Sequence, residues 1–94
     1  MSAPRTGERV SAVIVHYRTP EETVRAAEAV AASAPAAEIL IVDNASADGV
    51  AAALSRRVPA ARVLVEDTNR GYGAGCNRGA RESVRPYLLF LNSD

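Results

Sequence analysis

The chain has 94 residues, which is enough for one domain, and a domain of this size buries only about 60–65% of its unfolded surface. Eleven basic and eleven acidic residues give a formal net charge of zero, so the net charge favours neither nucleic acid nor an anionic membrane as a partner. The single cysteine excludes an internal disulfide, and no apolar run approaches the roughly 20 residues of a transmembrane helix.

The first predicted elements are a loose lead-in over residues 1–9 and a strand over residues 10–15. The lead-in has no apolar segment behind a basic one, so we expect no secretion signal and a cytoplasmic location. The strand is short, rich in β-branched residues and almost wholly apolar, which is typical of a strand covered on both faces.

A helix is predicted to follow, because Thr19 can cap it, Pro20 suits the first helical position and Glu22 completes a capping box. Apolar residues then recur at helical spacing, with charged residues on the opposite face, so the helix should run to about Ser33. Pro35 ends the pattern.

The same alternation of strand and helix continues to residue 94. Further strands are predicted at residues 38–42, 61–65 and 87–91, and the last is a continuous apolar run that indicates a buried strand. Helices are predicted over residues 47–58, capped by Ser46 or Asp48, and from the glycine-rich turn to residue 84 or 85. This β-α-β-α-β-α-β order predicts an α/β fold, a Rossmann-like three-layer structure with a parallel sheet and right-handed crossovers.

Polar residues follow each predicted strand, at the sheet edge where open α/β folds bind their ligands. These residues are His16, Tyr17, Arg18, Asp43, Asn44, Ser46, Asp67, Asn69, Arg70, Asn92, Ser93 and Asp94. Tyr17 can stack on a base, Asp43 can accept a hydrogen bond from a base or a ribose, and Arg70 can pair with phosphate. Asp94 is a hard oxygen ligand of the kind that Mg²⁺ or Mn²⁺ binds beside phosphate oxygens.

Structural interpretations of the same residues stay open. Asp43 also suits a turn or a helix cap, and Asp94 suits a cap. His16 has no assignable acid or nucleophile as a partner, which favours a hydrogen-bonded residue at a strand end. The glycines at 71, 73, 75 and 79 do not fit the dinucleotide fingerprint G-x-G-x-x-G and follow the third strand instead of the first, which argues against an oxidoreductase. They suit tight turning and close approach of a helix to the sheet or to a ligand.

Four motifs in order resemble the amino-terminal half of glycosyltransferase family 2. They are VIVHY at residues 13–17, LIVDNAS at 40–46, NRGYGAGCNRG at 69–79 and FLNSD at 90–94. Together they cover nearly the whole chain after residue 9, and the rhamnosyltransferase-like branch is the most similar. The resemblance implies the nucleotide-binding half of a GT-A fold over residues 10–94, a UDP- or dTDP-sugar donor, a divalent metal (Mn²⁺ or Mg²⁺) and an inverting displacement.

Carried over by position, the resemblance places Tyr17 and Asp43 against the base and ribose, and it places the Asn69-Arg70-Gly71 turn beside the nucleotide. Residues 92–94 correspond to the family's D-x-D motif, with Asn92 in place of the first Asp, so Ser93 is expected at the nucleotide and Asp94 at the metal. The implied acceptor is a saccharide or a lipid-linked acceptor in cell-envelope polysaccharide synthesis, and peripheral association with the inner face of the membrane would need further segments.

No catalytic residue is assigned, because the family's general base lies after the D-x-D motif. We therefore expect a truncated, inactive donor-binding half-domain that is marginally stable and prone to associate. The alternative function is a non-catalytic α/β module that binds a nucleotide.

Overall fold

The computed structural model describes residues 5–92, and this part of the chain forms a parallel four-stranded sheet with three helices. The elements, in chain order, are β1 (Val10–His16), α1 (Pro20–Ser33), β2 (Glu38–Asp43), α2 (Val50–Arg57), β3 (Arg62–Val65), α3 (Tyr72–Glu82) and β4 (Tyr87–Asn92). The predicted α/β class and element order are confirmed.

The strands lie in the order β3-β2-β1-β4, so the chain crosses the sheet in one direction and then returns past β1. Right-handed crossovers put α1 and α2 on one face and α3 on the other. The packing agrees, because Ile14 of β1 packs with Val24 of α1, whereas Val13 and Val15 approach α3. The three predicted layers are therefore present.

The core consists of two clusters, one on each face of the sheet. The larger joins the sheet to α1 and α2 and includes Ile14, Val24, Ile41 and Leu54, all buried. The smaller lies on the α3 face and is formed by Val13, Leu40, Val42 and Leu64. Burying one such aliphatic side chain contributes roughly 1.5–3 kcal/mol to stability, which makes β1 and β2 the rigid centre of the fold.

Two helices are shorter than predicted. The second begins at Val50 because Ala45, Ala47 and Gly49 have φ angles of 61°, 53° and 76°, which no right-handed helix includes. Asp48, one of the two predicted caps, accepts a hydrogen bond from the Val50 N–H at 3.2 Å. The third helix ends at Glu82 because the backbone of the next residue, Ser83, is extended. The Ser83 hydroxyl donates to the Ser11 hydroxyl of β1 at 2.7 Å.

The first helix has its predicted start and end, with Thr19 at the N-cap position and Pro20 in the first turn, but the capping box is wrong. The Thr19 side chain makes no cap hydrogen bond, and the Thr19 carbonyl accepts the Thr23 N–H at 2.9 Å. A proline at the first helical position has no N–H, so the first turn has one unpaired donor fewer even without a cap.

The fourth strand pairs in parallel with β1, as predicted, but the expectation that it is buried is wrong. It lies at the edge of the sheet, and Tyr87, Leu88, Leu89 and Phe90 are 41–61% exposed. The apolar run correctly indicated a strand. Burial of both its faces depends on a neighbouring layer, which the described residues do not provide.

The described part of the lead-in forms hydrogen-bonded turns against the loop between α1 and β2. The Ala36 N–H donates to the Thr6 carbonyl at 3.0 Å, and the Arg85 guanidinium donates to the carbonyls of Glu8 and Ala36. These contacts are at the amino edge of the sheet, opposite the edge at which the strands end.

Candidate functional site

The strand order reverses at β1, and a cleft lies at the carboxyl edge of the sheet, between the ends of β1 and β4. This topological switch point is where open α/β sheets bind ligands. The cleft has a volume of about 220 Å³. We call it the β1–β4 cleft, and its lining residues are Val15, Tyr17, Thr19, Asn44, Asn69, Gly71, Tyr72 and Asn92.

Tyr17 leaves β1 into this cleft and is 40% exposed. The Arg18 guanidinium carbon lies 4.9 Å from the centre of the Tyr17 ring, a cation–π distance. Arg18 adopts a φ of 56°, in the left-handed region that non-glycine residues rarely occupy. The exposed ring can stack on a planar ligand, and a base on its other face would leave the Arg18 contact in place.

Asp43 ends β2 and is almost fully buried. Its Oδ1 accepts hydrogen bonds from the Ser46 hydroxyl at 2.6 Å and from the Ser46 N–H at 3.1 Å. The turn-capping role that the sequence left open for Asp43 is therefore present. Asp43 does not line either described pocket, and a contact with a nucleotide would use the oxygen outside these two bonds, Oδ2.

The glycine-rich turn is built by two asparagines. Asn69 Oδ1 accepts the Gly71 N–H at 2.8 Å, which closes a local turn before α3. Asn44, buried after β2, donates from Nδ2 to the Gly71 carbonyl at 3.1 Å. Gly71 has a φ of 93°, so a side chain there would be strained. The β2 end and the α3 start thus form one wall of the cleft.

Arg70 points to a different place from its neighbours Asn69 and Gly71. It lines a second pocket of about 140 Å³, which we call the arginine pocket and which also contains Asn44, Glu66, Arg78 and Arg81. The predicted nucleotide residues are therefore divided, with Tyr17, Asn69 and Gly71 in the β1–β4 cleft and Arg70 in the arginine pocket. Among residues 5–92, only Asn44 lines both pockets, so it joins the two sites.

An ion-pair chain forms one side of the arginine pocket. Arg78 donates to Glu66 at 2.8 Å and to Glu82 at 2.6 Å. The hydrogen bonds to Glu82 and Glu66 raise the pKa of Arg78, and the bond from Arg78 lowers the pKa of Glu82. The Arg78 side chain is half-buried, and its pairing with Glu66 of the segment after β3 could not be read from helical spacing.

His16 is fully buried and hydrogen-bonded at both ring nitrogens, as the structural interpretation of the sequence favoured. Nδ1 lies 2.6 Å from the Thr23 hydroxyl and Nε2 lies 2.8 Å from Asp48 Oδ2. Burial of Asp48 opposes its ionisation, but hydrogen bonds from His16, Ser46 and the Val50 N–H outweigh burial and lower the pKa of Asp48. The sequence indicated Asp48 only as a helix cap and did not indicate its pairing with His16.

The predicted metal ligand Asp94 and the predicted nucleotide residue Ser93 lie outside the described residues. Asn92 precedes them at the end of β4 and lines the β1–β4 cleft. Within residues 5–92 no three His, Cys, Asp or Glu side chains cluster in a way that could hold a metal ion. At the end of β4 the Asn92 amide offers an oxygen to the cleft, and such an oxygen is a hard ligand suited to Mg²⁺ or Mn²⁺.

A membrane-spanning helix is not found in residues 5–92, since none of their helices has the necessary length and apolar character.

Comparison with known families gives one finding. The model of the family described as Glycosyl transferase family 2 matches residues 11–94, which is almost the entire chain. No curated protein matches the chain. The matched range includes β1 except its first residue, Val10, the other six elements, the lining of the β1–β4 cleft, and Ser93 and Asp94.

Proposed function

Because the chain belongs to glycosyl transferase family 2, we propose that it is the donor-binding part of an inverting glycosyltransferase that uses a nucleoside-diphosphate sugar. The observation that supports this proposal most is the β1–β4 cleft, at the switch point of a parallel sheet. It combines an exposed aromatic ring, Tyr17, with the backbone and amide groups of Asn69, Gly71 and Asn92.

Each part of the donor would have a counterpart in the chain. The base would stack on Tyr17, and Asp43 would accept a hydrogen bond from the base or the ribose through Oδ2. Arg70 and Ser93 are the other residues proposed to contact the nucleotide. UDP or dTDP is the expected nucleotide, because the imide N–H of uracil or thymine is a suitable hydrogen-bond donor to the Asp43 carboxylate.

The diphosphate would lie at the end of β4. Family 2 enzymes generally use a divalent metal, and Asp94, together with the amide oxygen of Asn92, would hold it. When bound, the metal would supply neutralisation of the diphosphate leaving group. These two residues have hard oxygen donors, which fit Mn²⁺ or Mg²⁺.

The proposed reaction is a single displacement at the anomeric carbon. The acceptor hydroxyl oxygen forms the new glycosidic bond while the bond to the diphosphate breaks, and a general base takes the hydroxyl proton. We assign no residue of this chain to that base. The proposed acceptor is a saccharide or lipid-linked molecule of the cell envelope, which a cytoplasmic enzyme at the inner face of the membrane would reach.

Calorimetric titration with UDP and with dTDP, in Mn²⁺ and in EDTA, tests this proposal. We expect Mn²⁺ to tighten binding about tenfold or more, and Asp94→Ala to remove that dependence. Glu21→Ala is the matched control, because Glu21 is an exposed carboxylate on α1 that does not line the cleft. Metal-independent binding that survives Asp94→Ala would contradict the metal site, and no binding of either nucleotide would contradict the function.

A further inference from the structure

The segment between β2 and α2, residues 44–49, is a strained loop beside the proposed nucleotide site. Ala45 and Ala47 have φ angles of 61° and 53°, although neither is a glycine. Such backbone conformations persist only where surrounding contacts hold them, and they concentrate at functional sites. The contacts that hold this loop therefore determine the shape of whatever the loop lines.

Two of these contacts come from His16. Its Nε2 lies 2.8 Å from Asp48 Oδ2 near the end of the loop, and its backbone carbonyl accepts the Asn44 N–H at 2.9 Å at the start. An ionised carboxylate only accepts hydrogen bonds, so Nε2 carries the hydrogen and donates it. The Thr23 hydroxyl, 2.6 Å from Nδ1, fixes the ring from α1. One buried side chain thus connects β1, α1 and the loop.

The loop in turn holds a wall of the β1–β4 cleft. Asn44 is its first residue, lines the cleft and donates to the Gly71 carbonyl at 3.1 Å. Movement of the loop would shift Asn44 and release the glycine-rich turn, which carries Asn69 and Gly71. A physical chain of hydrogen bonds therefore runs from His16 through the loop to this wall of the cleft.

We propose that His16 is a positioning residue of the nucleotide site: its hydrogen bond to Asp48 holds the 44–49 loop, and with it Asn44, in the conformation that shapes the β1–β4 cleft. This inference rests on the proposed function for its ligand. His16 itself is fully buried and touches no ligand.

Two substitutions separate the two hydrogen bonds of His16. The amide nitrogen of Gln is as many bonds from Cα as Nε2 of His16. The His16→Gln variant can therefore still donate a hydrogen bond to Asp48, but it loses the hydrogen bond to Thr23. The amide nitrogen of Asn is as many bonds from Cα as Nδ1 of His16. The His16→Asn variant therefore keeps the hydrogen bond to Thr23 and loses the one to Asp48. We expect His16→Asn to weaken UDP binding by about tenfold, and His16→Gln to stay within about threefold of the native chain.

The matched control is Ser11→Ala, at the other end of the same strand. Ser11 is also fully buried and hydrogen-bonded, to Glu38 at 2.6 Å, but it lies at the amino edge of the sheet. Its substitution should lower the melting temperature and leave the UDP dissociation constant unchanged. All affinities are measured well below the melting temperature of the least stable variant.

A ligand-free measurement keeps this inference separate from the proposed function. Amide hydrogen exchange of Ser46 and Val50, whose N–H groups bond to Asp43 and Asp48, should accelerate in His16→Asn and in Asp48→Ala but not in His16→Gln. If the native chain binds no UDP and this exchange pattern holds, the function is wrong and the role of His16 in holding the loop remains. Equal exchange or equal affinity in the Asn and Gln variants would overturn the proposal, because the bond to Asp48 would then not position the loop.

Discussion

At the scale of single residues, the ionised carboxylate of Asp48 makes stability depend on pH. Burial opposes its charge, but hydrogen bonds from His16, Ser46 and the Val50 N–H lower the pKa of Asp48 in the folded state. A group whose pKa is lower when folded stabilises the fold above its unfolded pKa, and that contribution is lost as the pH falls below about 4.

We therefore expect Asp48→Asn to lower the free energy of unfolding by roughly 1–2 kcal/mol at pH 6 and by much less at pH 3. Urea denaturation of both chains at the two pH values measures the difference. Glu21→Gln is the control, since Glu21 is 79% exposed and its pairing with Arg25 contributes little. An equal effect of Asp48→Asn at both pH values would show that the carboxylate charge does not stabilise the fold.

At the scale of elements, the packing of α3 on the sheet depends on two glycines. A Cβ at Gly79 would lie 2.4 Å from Val13 Cγ1, and one at Gly75 would lie 2.6 Å from Val15 Cγ1. Both distances are shorter than any real contact, so a side chain would push the helix away from β1. Gly73, on the same helix, has no atom within 4 Å of the equivalent position.

Gly79→Ala should therefore lower stability and Gly73→Ala should not. Overpacking costs about 1–3 kcal/mol, whereas alanine in an open helical position gains up to about 1 kcal/mol over glycine. In a domain of this size 1 kcal/mol corresponds to about 4–8 °C, which thermal denaturation resolves. A melting temperature for Gly79→Ala equal to that of Gly73→Ala would mean that α3 does not pack this closely.

The elements were predictable from sequence where one local signal determined them. The apolar runs gave β1, β2 and β4, and Pro20 with the apolar spacing gave α1. The start of α2 and the end of α3 were missed because contacts distant in sequence determine them. These are the contacts that hold the strained loop before Val50 and the bond of Ser83 to β1. The role of the glycines in α3 was predicted as close approach to the sheet, and Gly75 and Gly79 confirm it.

At the scale of the whole molecule, β4 leaves apolar surface exposed on both faces of the sheet edge. By register, Leu88 and Phe90 share the face of Val13 and α3, and Tyr87 and Leu89 lie on the opposite face. The strand contains no charged residue and no proline, which are the features that discourage edge-to-edge association.

We expect the 94-residue chain to associate as its concentration rises, and Leu88→Arg to shift it toward the monomer. Val65→Arg is the matched control, because Val65 is 63% exposed on β3, the opposite edge strand. Sedimentation velocity over a concentration series measures both variants. A native chain that stays monomeric throughout, or an equal effect of the two substitutions, would contradict a role for β4.

The sequence indicates which groups share an edge of the sheet, but not how they are grouped there. Parallel strands bring their carboxyl ends to one edge, so Tyr17, Asp43 and the glycine-rich turn were expected together. Tyr17 and the turn line the β1–β4 cleft, whereas Asp43 lines neither pocket. The sequence could not show that Arg70 faces a separate pocket or that Asp43 bonds to Ser46, because both depend on how individual loops turn. The roles of Ser93 and Asp94 stay predictions.

The central claim is that a nucleoside diphosphate binds in the β1–β4 cleft, and an NMR titration of the ¹⁵N-labelled chain with UDP and Mg²⁺ tests it most directly. We predict saturable shifts of the amides of Tyr17, Asn69, Gly71 and Asn92, with little change at the amino edge around Ser11. Shifts centred on Arg78 and Arg81 of the arginine pocket, or no saturable shifts, would contradict the claim.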